Sequence, residues 1–263
     1  MTDCPLPQVA SRALVVRVPS RWVRIAEVWF AAAPLPHADL LVARQWREPA
    51  WSGHAQPKHT LIVDLAQDEA LRLAACSKDT QYQIRRASTK DRLESEFLNA
   101  PGPARRAAFA DFYDAFAALK ELPPCDRGHL RALDEAGGLA LSAATQDGQT
   151  LVWHSYVVAG TRARLLHSAS RHRASADSAF RALTGRANRW LHWRDMALLA
   201  QAGCREYDFG GWYAGHSEEA RLKINAFKQE FGGTPRCEHD GMAALSWRGR
   251  LYLAVRQLRG HTA

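Results

Sequence analysis

Apolar and polar positions alternate through the first part of the chain. Leu14-Val15-Val16-Arg17-Val18 and Trp22-Val23-Arg24-Ile25-Ala26-Glu27-Val28-Trp29-Phe30 carry the period of two that sends successive side chains to opposite faces of a strand. The pattern predicts a hairpin turning near Pro19-Ser20, then a strand over Leu40-Leu41-Val42-Ala43. Pro49, Gly53 and Pro57 predict a loop from Arg47 to His59. Thr60 to Leu65 reads as a buried strand, and Asp68-Glu69 open a helical pattern running to about Ala87.

Asn99-Ala100-Pro101-Gly102-Pro103 breaks the pattern and marks the expected domain boundary, dividing the chain into 1–100 and 101–263. Beyond it Phe109, Phe112, Tyr113, Phe116 and Leu119 recur at the spacing of a helix packed on a sheet. Leu139 to Ala143, Thr150 to Val158 and Ala163 to Ser168 are separated by Asp147-Gly148 and Gly160, which predicts a three-stranded meander. On its middle strand Val152, His154, Tyr156 and Val158 share a face. A long helix is expected from Ser178 to Ala202, stopped by Gly203, and then a strand from Glu206 to Phe209. After it comes an amphipathic helix ending at Phe231-Gly232-Gly233, and last a hairpin pairing Ala243–Trp247 with Leu251–Val255. This order predicts an α/β (α+β) fold, a mixed sheet flanked by helices.

Composition changes the picture in two ways. The 35 Lys and Arg exceed the 27 Asp and Glu, a formal charge of +8 that suits an anionic partner, although arginine and alanine richness also accompanies GC-rich coding sequence. The five cysteines, Cys4, Cys76, Cys125, Cys204 and Cys237, are odd in number and show no two-residue spacing, so they read as reduced thiols. With no signal-peptide pattern and no apolar run near 18 residues, a cytoplasmic location is expected. The sequence has no zinc-ligand spacing, P-loop, dinucleotide fingerprint or Gly-x-Ser-x-Gly elbow, which leaves oxidoreductase and hydrolase readings little support. No metal is implied.

Tyr207-Asp208-Phe209-Gly210-Gly211 followed by Ile224-Asn225-Ala226-Phe227-Lys228-Gln229-Glu230-Phe231-Gly232-Gly233 resembles the C-terminal half of the Fem family. These are aminoacyl-tRNA-dependent peptidyltransferases within the GNAT-like acyltransferases. The likeness extends to Thr60–Leu65, to Gln83-Ile84-Arg85-Arg86-Ala87 and to Gly185-Arg186-Ala187-Asn188. It implies a GNAT-like sheet in 101–263, a shortened and degenerate GNAT-like half in 1–100, and a lysine, Lys228, at the acyl-transfer centre. It implies aminoacyl-tRNA as co-substrate, with no resident cofactor, and a small-molecule, peptide or cell-wall-like amine as acceptor.

Chemistry is assigned on that basis. Lys228 is the candidate cation for the oxyanion of a tetrahedral intermediate, against the simpler reading of a solvated lysine on an amphipathic helix. Phe227 walls the site or packs the helix. Asp208 orients or deprotonates an amine, or caps the turn that follows it. His154, Tyr156, Gly210, Gly211, Trp212 and Tyr213 are candidate substrate contacts. Arg85, Arg86, Arg171, Arg173, Arg186 and Arg189 are candidates for phosphate or tRNA contact, with a solvated helix end as the alternative for the first two. Arg171 to Asp177 lacks the glycines with which an acetyl-CoA enzyme cradles pyrophosphate, which tells against a CoA thioester donor without removing it. Two alternatives stand beside tRNA-dependent transfer: an acyl-CoA or acyl-carrier-dependent N-acyltransferase acting on an amino sugar or polysaccharide precursor, and a basic, non-catalytic RNA-binding module.

Overall fold

The computed structural model of the chain describes residues 13–31, 37–48 and 55–260, apart from the side chains of Arg173 and 257–260. Cys4, Pro34, Pro36, Pro49 and Gly53 lie outside the described residues. The strands are β1 (Leu14–Val18), β2 (Ile25–Trp29), β3 (Leu40–Trp46), β4 (Ala55–Asp64), β5 (Glu94–Asn99), β6 (Leu139–Gln146), β7 (Gln149–Ala159), β8 (Arg162–Ser170), β9 (Glu206–Gly211) and β10 (Thr234–Ala244). The helices are α1 (Glu69–Ala75), α2 (Lys78–Thr89), α3 (Gly102–Ala118), α4 (Arg127–Glu135), α5 (Ser178–Gln201), α6 (Glu219–Gln229) and α7 (Trp247–Gly260).

All ten strands join one mixed sheet in the order β1-β2-β3-β10-β4-β9-β8-β7-β6-β5. Two pairs are parallel, β2 with β3 and β8 with β9. Helix α5 covers one face, where Tyr156, Ala163, Tyr207 and Phe209 meet Trp193, Met196 and Leu199. On the other face α3 and α4 pack with Leu14, Val16 and Trp29 over Leu139, Leu141, Trp153 and Val157, so the β1–β2 end of the sheet curls back over its middle. The mixed α/β fold expected from the sequence, a sheet flanked by helices, is the fold of this chain.

Four local expectations are corrected. The helix over 68–87 is two helices, because Ser77 caps α2 by accepting the Thr80 N–H at 3.1 Å while its own N–H donates to the Glu230 carbonyl at 2.8 Å. The loop from Arg47 to His59 is strand from Ala55 onward. Pro57 is tolerated because β4 pairs only with β10 there, β9 joining at Thr60. Strand β5, polar on its exposed edge, was not expected from the sequence pattern. The closing hairpin is absent: β10 ends at Ala244 and Trp247–Gly260 is helical. Trp247, Leu251 and Val255 recur at four-residue spacing, and Ser246 Oγ accepts the Gly249 N–H at 3.3 Å as a helix cap.

Candidate active site at the end of β9

The β8–β9 ladder stops at Arg164↔Asp208, although β8 continues to Ser170 and β9 to Gly211. Gly210, at φ +68°, makes the departure possible: a Cβ there would lie 2.9 Å from the Leu165 carbonyl oxygen. Helix α6 holds the freed segment from above. Lys228 Nζ donates to the Gly210 and Gly211 carbonyls at 3.2 and 2.5 Å. One turn earlier the buried Asn225 accepts the Tyr213 N–H at 3.1 Å and donates to the Tyr213 carbonyl at 2.7 Å. The Trp212 N–H donates to the His59 carbonyl at 2.8 Å. Gly210, Gly211, Trp212, Tyr213 and Lys228 are therefore brought together.

Burial pushes the Lys228 ammonium down to about 8, with Arg164 and Lys58 adding to the shift and Asp208 opposing it. Phe227 packs against Phe231 and His192, at 5.6 and 5.8 Å between ring centroids, and lies under the Arg189 guanidinium at 4.9 Å. It fastens α6 to α5.

Asp208 is fully buried. One oxygen accepts the Thr60 hydroxyl and, at 2.7 Å, the Gly210 N–H; the other accepts Gln45 Nε2 at 3.0 Å and Arg162 Nη2 at 2.5 Å. Burial opposes its charge, but Arg162, Arg164 and the Thr60 hydroxyl outweigh that and hold the carboxyl below its ordinary range. With both oxygens engaged it anchors the 208–211 backbone, and its bond to the Gly210 N–H is the turn cap expected beside the role of base for an amine. Arg162 also donates to both oxygens of the buried Glu238 at 2.7 Å, so β8, β9 and β10 share one buried ion cluster. Arg164, on the same face, makes no ion pair among the described residues. It lies 5.5 Å from the Trp29 ring and reaches only the Leu165 carbonyl, at 3.4 Å.

His154 and Tyr156 do not line this site. Both are fully buried on the α5 face. Asp195 Oδ2 accepts from Ser142 Oγ, His154 Nδ1 and Tyr156 OH at 2.7, 2.9 and 2.6 Å, and Tyr156 OH meets Tyr207 OH at 2.9 Å. Tyr207 in turn contacts His192 Nδ1 at 2.7 Å. Burial keeps His192 neutral and both tyrosines protonated. The expectation of substrate contact is corrected to a role inside the core.

The arginines divide. Arg186 forks onto Asp91 at 2.6 and 3.0 Å, and Arg189 donates to Glu230 Oε2 at 3.2 and 2.7 Å; both guanidiniums fasten helices and neither is free to clamp a phosphate. Arg85, Arg86 and Arg171 are exposed, Arg86 against Tyr82 OH at 3.3 Å and Arg171 at 5.6 Å from the Phe112 ring. The Arg173 side chain lies outside the described residues. Asn225, Arg162, Arg164, Gln45, Thr60 and Glu238 were missed as site residues. Asn225 and Thr60 stand inside the resembling stretches without a chemical role assigned to them, and the Arg162–Arg164 alternation on β8 carried a signal of its own, charge on a strand that is otherwise core.

No family model matches the chain, and no curated protein matches its sequence. Solved structures do match. A structure of FemX superposes with a TM-score of 0.63 at 13% identity, over 94% of this chain and 87% of that one. The chain has a Fem-type fold. The C-terminal domain of a putative lysylphosphatidylglycerol synthetase from Agrobacterium fabrum shares it, with a TM-score of 0.55 at 16% identity over 94% and 85% of the two chains. So does L-PGS from Bacillus licheniformis, at 0.53 and 10% over 93% and 85%. At these identities the likeness is one of fold. Among the described residues of this Fem-type fold, no helix is long and apolar enough to cross a membrane, and no group of three His, Cys, Asp or Glu is placed to hold a metal. Cys76, Cys125, Cys204 and Cys237 are free thiols.

Proposed function

We propose that this chain is an acyltransferase that forms an amide by moving an aminoacyl group from aminoacyl-tRNA to a small-molecule, peptide or cell-wall-like amine. The observation that carries the reading is the seat of Lys228 on the Gly210 and Gly211 carbonyls, where β8 and β9 part. Two of its three protons are committed there, which fixes the ammonium and leaves one to meet charge developing on an ester carbonyl. An ester of tRNA is already activated, so alignment and oxyanion stabilisation are the main requirements.

The start of α5 favours tRNA over a CoA thioester as donor. Asp177 Oδ1 accepts the Ala179 N–H at 2.9 Å, so a carboxylate occupies the helix end that would receive a pyrophosphate. Exposed Arg85, Arg86 and Arg171 are the groups proposed to touch tRNA phosphates. The reading includes residues 1–100 as a shortened counterpart of 101–263. Its support is the exchange of strands between them, β10 lying between β3 and β4 and β5 lying beside β6. A cytoplasmic location belongs to the same proposal.

Single-turnover product formation, followed by mass spectrometry with charged total tRNA and a panel of primary amines beside an acyl-CoA panel, tests it. Product that disappears after RNase treatment and falls about 10²–10³-fold in Lys228→Ala supports the reading, that being the usual loss for one oxyanion donor. Product from thioesters alone would replace it with the CoA reading. No product from either donor, with RNA affinity little changed by Lys228→Ala, would indicate the binding module.

A further inference from the structure

Helix α7 is amphipathic, yet its apolar stripe faces away from the protein. Trp247, Leu251 and Val255 are 64%, 59% and 40% exposed. The contact side is set by Gly249, which is buried against the Asp39 carbonyl so closely that a Cβ would sit 2.0 Å from that oxygen. The helix is thus pressed by its smallest residue onto the start of β3 and the end of β10, two interior strands, and turns its largest ones outward. Trp22, between β1 and β2, is 83% exposed and stands beside the same stripe, so that Trp22, Trp247, Leu251 and Val255 border one open cleft of about 880 Å³. A soluble domain that buried α7 for stability alone would have the reverse orientation.

Charge on this face has one sign. Arg21, Arg248 and Arg256 line the cleft, Arg250 is exposed on the same helix, and none of the four forms an ion pair among the described residues. From Gly241 to Ala263 the chain has four arginines and no Asp or Glu. Indole rings flanked by unpaired arginines suit the boundary between lipid headgroups and acyl chains, where the rings enter the apolar side and the guanidiniums meet phosphates. A second copy of this face would bring like charges together.

We propose that α7 and the β1–β2 turn form a docking surface for an anionic phospholipid bilayer, on which the chain lies peripherally. Tyr252 and Arg256 also line a second cleft, of about 820 Å³, whose polar wall holds Glu27, Arg44 and Asp240. Docking would place that cleft at the membrane boundary. The inference does not depend on the acyl-transfer reading, and its test reads binding rather than turnover.

The test is co-sedimentation of the full chain with vesicles of phosphatidylcholine alone, and of phosphatidylcholine with about one quarter phosphatidylglycerol, at low and high salt. Binding is expected to the anionic vesicles, weakening with salt and much lower on neutral ones. Arg248→Gln with Arg256→Gln should weaken it about 25-fold, roughly fivefold for each charge. Trp22→Ser with Trp247→Ser should weaken it about tenfold or more. These positions are exposed, and thermal melting of each variant checks that the fold is kept. Quenching of tryptophan emission by lipids brominated on their acyl chains reads insertion in the unsubstituted protein. Failure of the wild type to bind anionic vesicles, or binding untouched by both double variants, would overturn the proposal. A concentration-dependent dimer lost on Trp22→Ser/Trp247→Ser would assign the face to a second copy instead.

Discussion

Asp208→Asn tests whether the carboxylate beside the candidate site is an anchor or a base. The substitution keeps the shape and removes the charge. Thr60, Gln45, Arg162 and the Gly210 N–H all donate to Asp208, and an amide NH₂ turned toward any of these donors loses that bond. Removing one partner from a buried ion pair typically costs about 3–5 kcal/mol. Arg162 keeps Glu238 at 2.7 Å, so its charge stays partly compensated and the lower end, about 3 kcal/mol, is expected. In a chain of this size 1 kcal/mol moves Tm by about 2–4 °C, so thermal melting at pH 7 should show a fall of about 6–12 °C. The pH dependence has a definite sign. Because the folded carboxyl titrates below its ordinary value of 3.8, its contribution is present above that value and lost as pH falls through the folded one. The gap between wild type and variant should therefore close below about pH 4. A variant that melts within about 2 °C of wild type while turnover is abolished would refute the anchoring argument and restore Asp208 as a base.

Lys228 at about 8 predicts an alkaline limb, activity falling as pH rises through that value and the ammonium discharges; Lys228→Arg should remove the limb, which a pH profile of single-turnover rates will show. Gly232, at φ +77° with a Cβ position 2.7 Å from Ala75 Cβ, should lose about 2 kcal/mol or more on Gly232→Ala, measured by urea unfolding. Arg186→Ala and Arg189→Ala should lower Tm without altering the salt dependence of RNA binding. Arg85→Ala with Arg86→Ala should leave Tm nearly unchanged and flatten that dependence by about 0.7–0.9 per charge, read from log–log titrations.

Elements whose pattern reflects burial were legible from the chain. The β6–β8 meander is buried on both faces and α5 along one stripe, and Asp147-Gly148 sets the first turn, at φ +49° and +77°. Helix α7 was misread because its apolar stripe meets no core, so periodicity had no packing to report. Within the site, Lys228 and the glycine pair were visible because the 224–233 motif is local. Gln45, Thr60, Arg162 and Glu238 were not, since strands far apart in sequence bring them together. Arg189 looked free for the same reason: Glu230, its partner, is 41 residues away.

Strand β10 also governs how the chain must assemble. It is the last strand in sequence among the described residues, and it is the wedge that joins β3 to β4, pairing with both. Until residues 234–244 are available, β3 and β4 each present an unpaired edge, and no local rearrangement can substitute for the missing neighbour. Closing the sheet therefore waits for contacts spanning almost 200 residues, as in the Gln45–Asp240 bond with a separation of 195. Such topologies fold slowly and expose strand edges meanwhile. Pairing of β10 with β3 and β4, rather than formation of any earlier helix, is the step that completes the sheet.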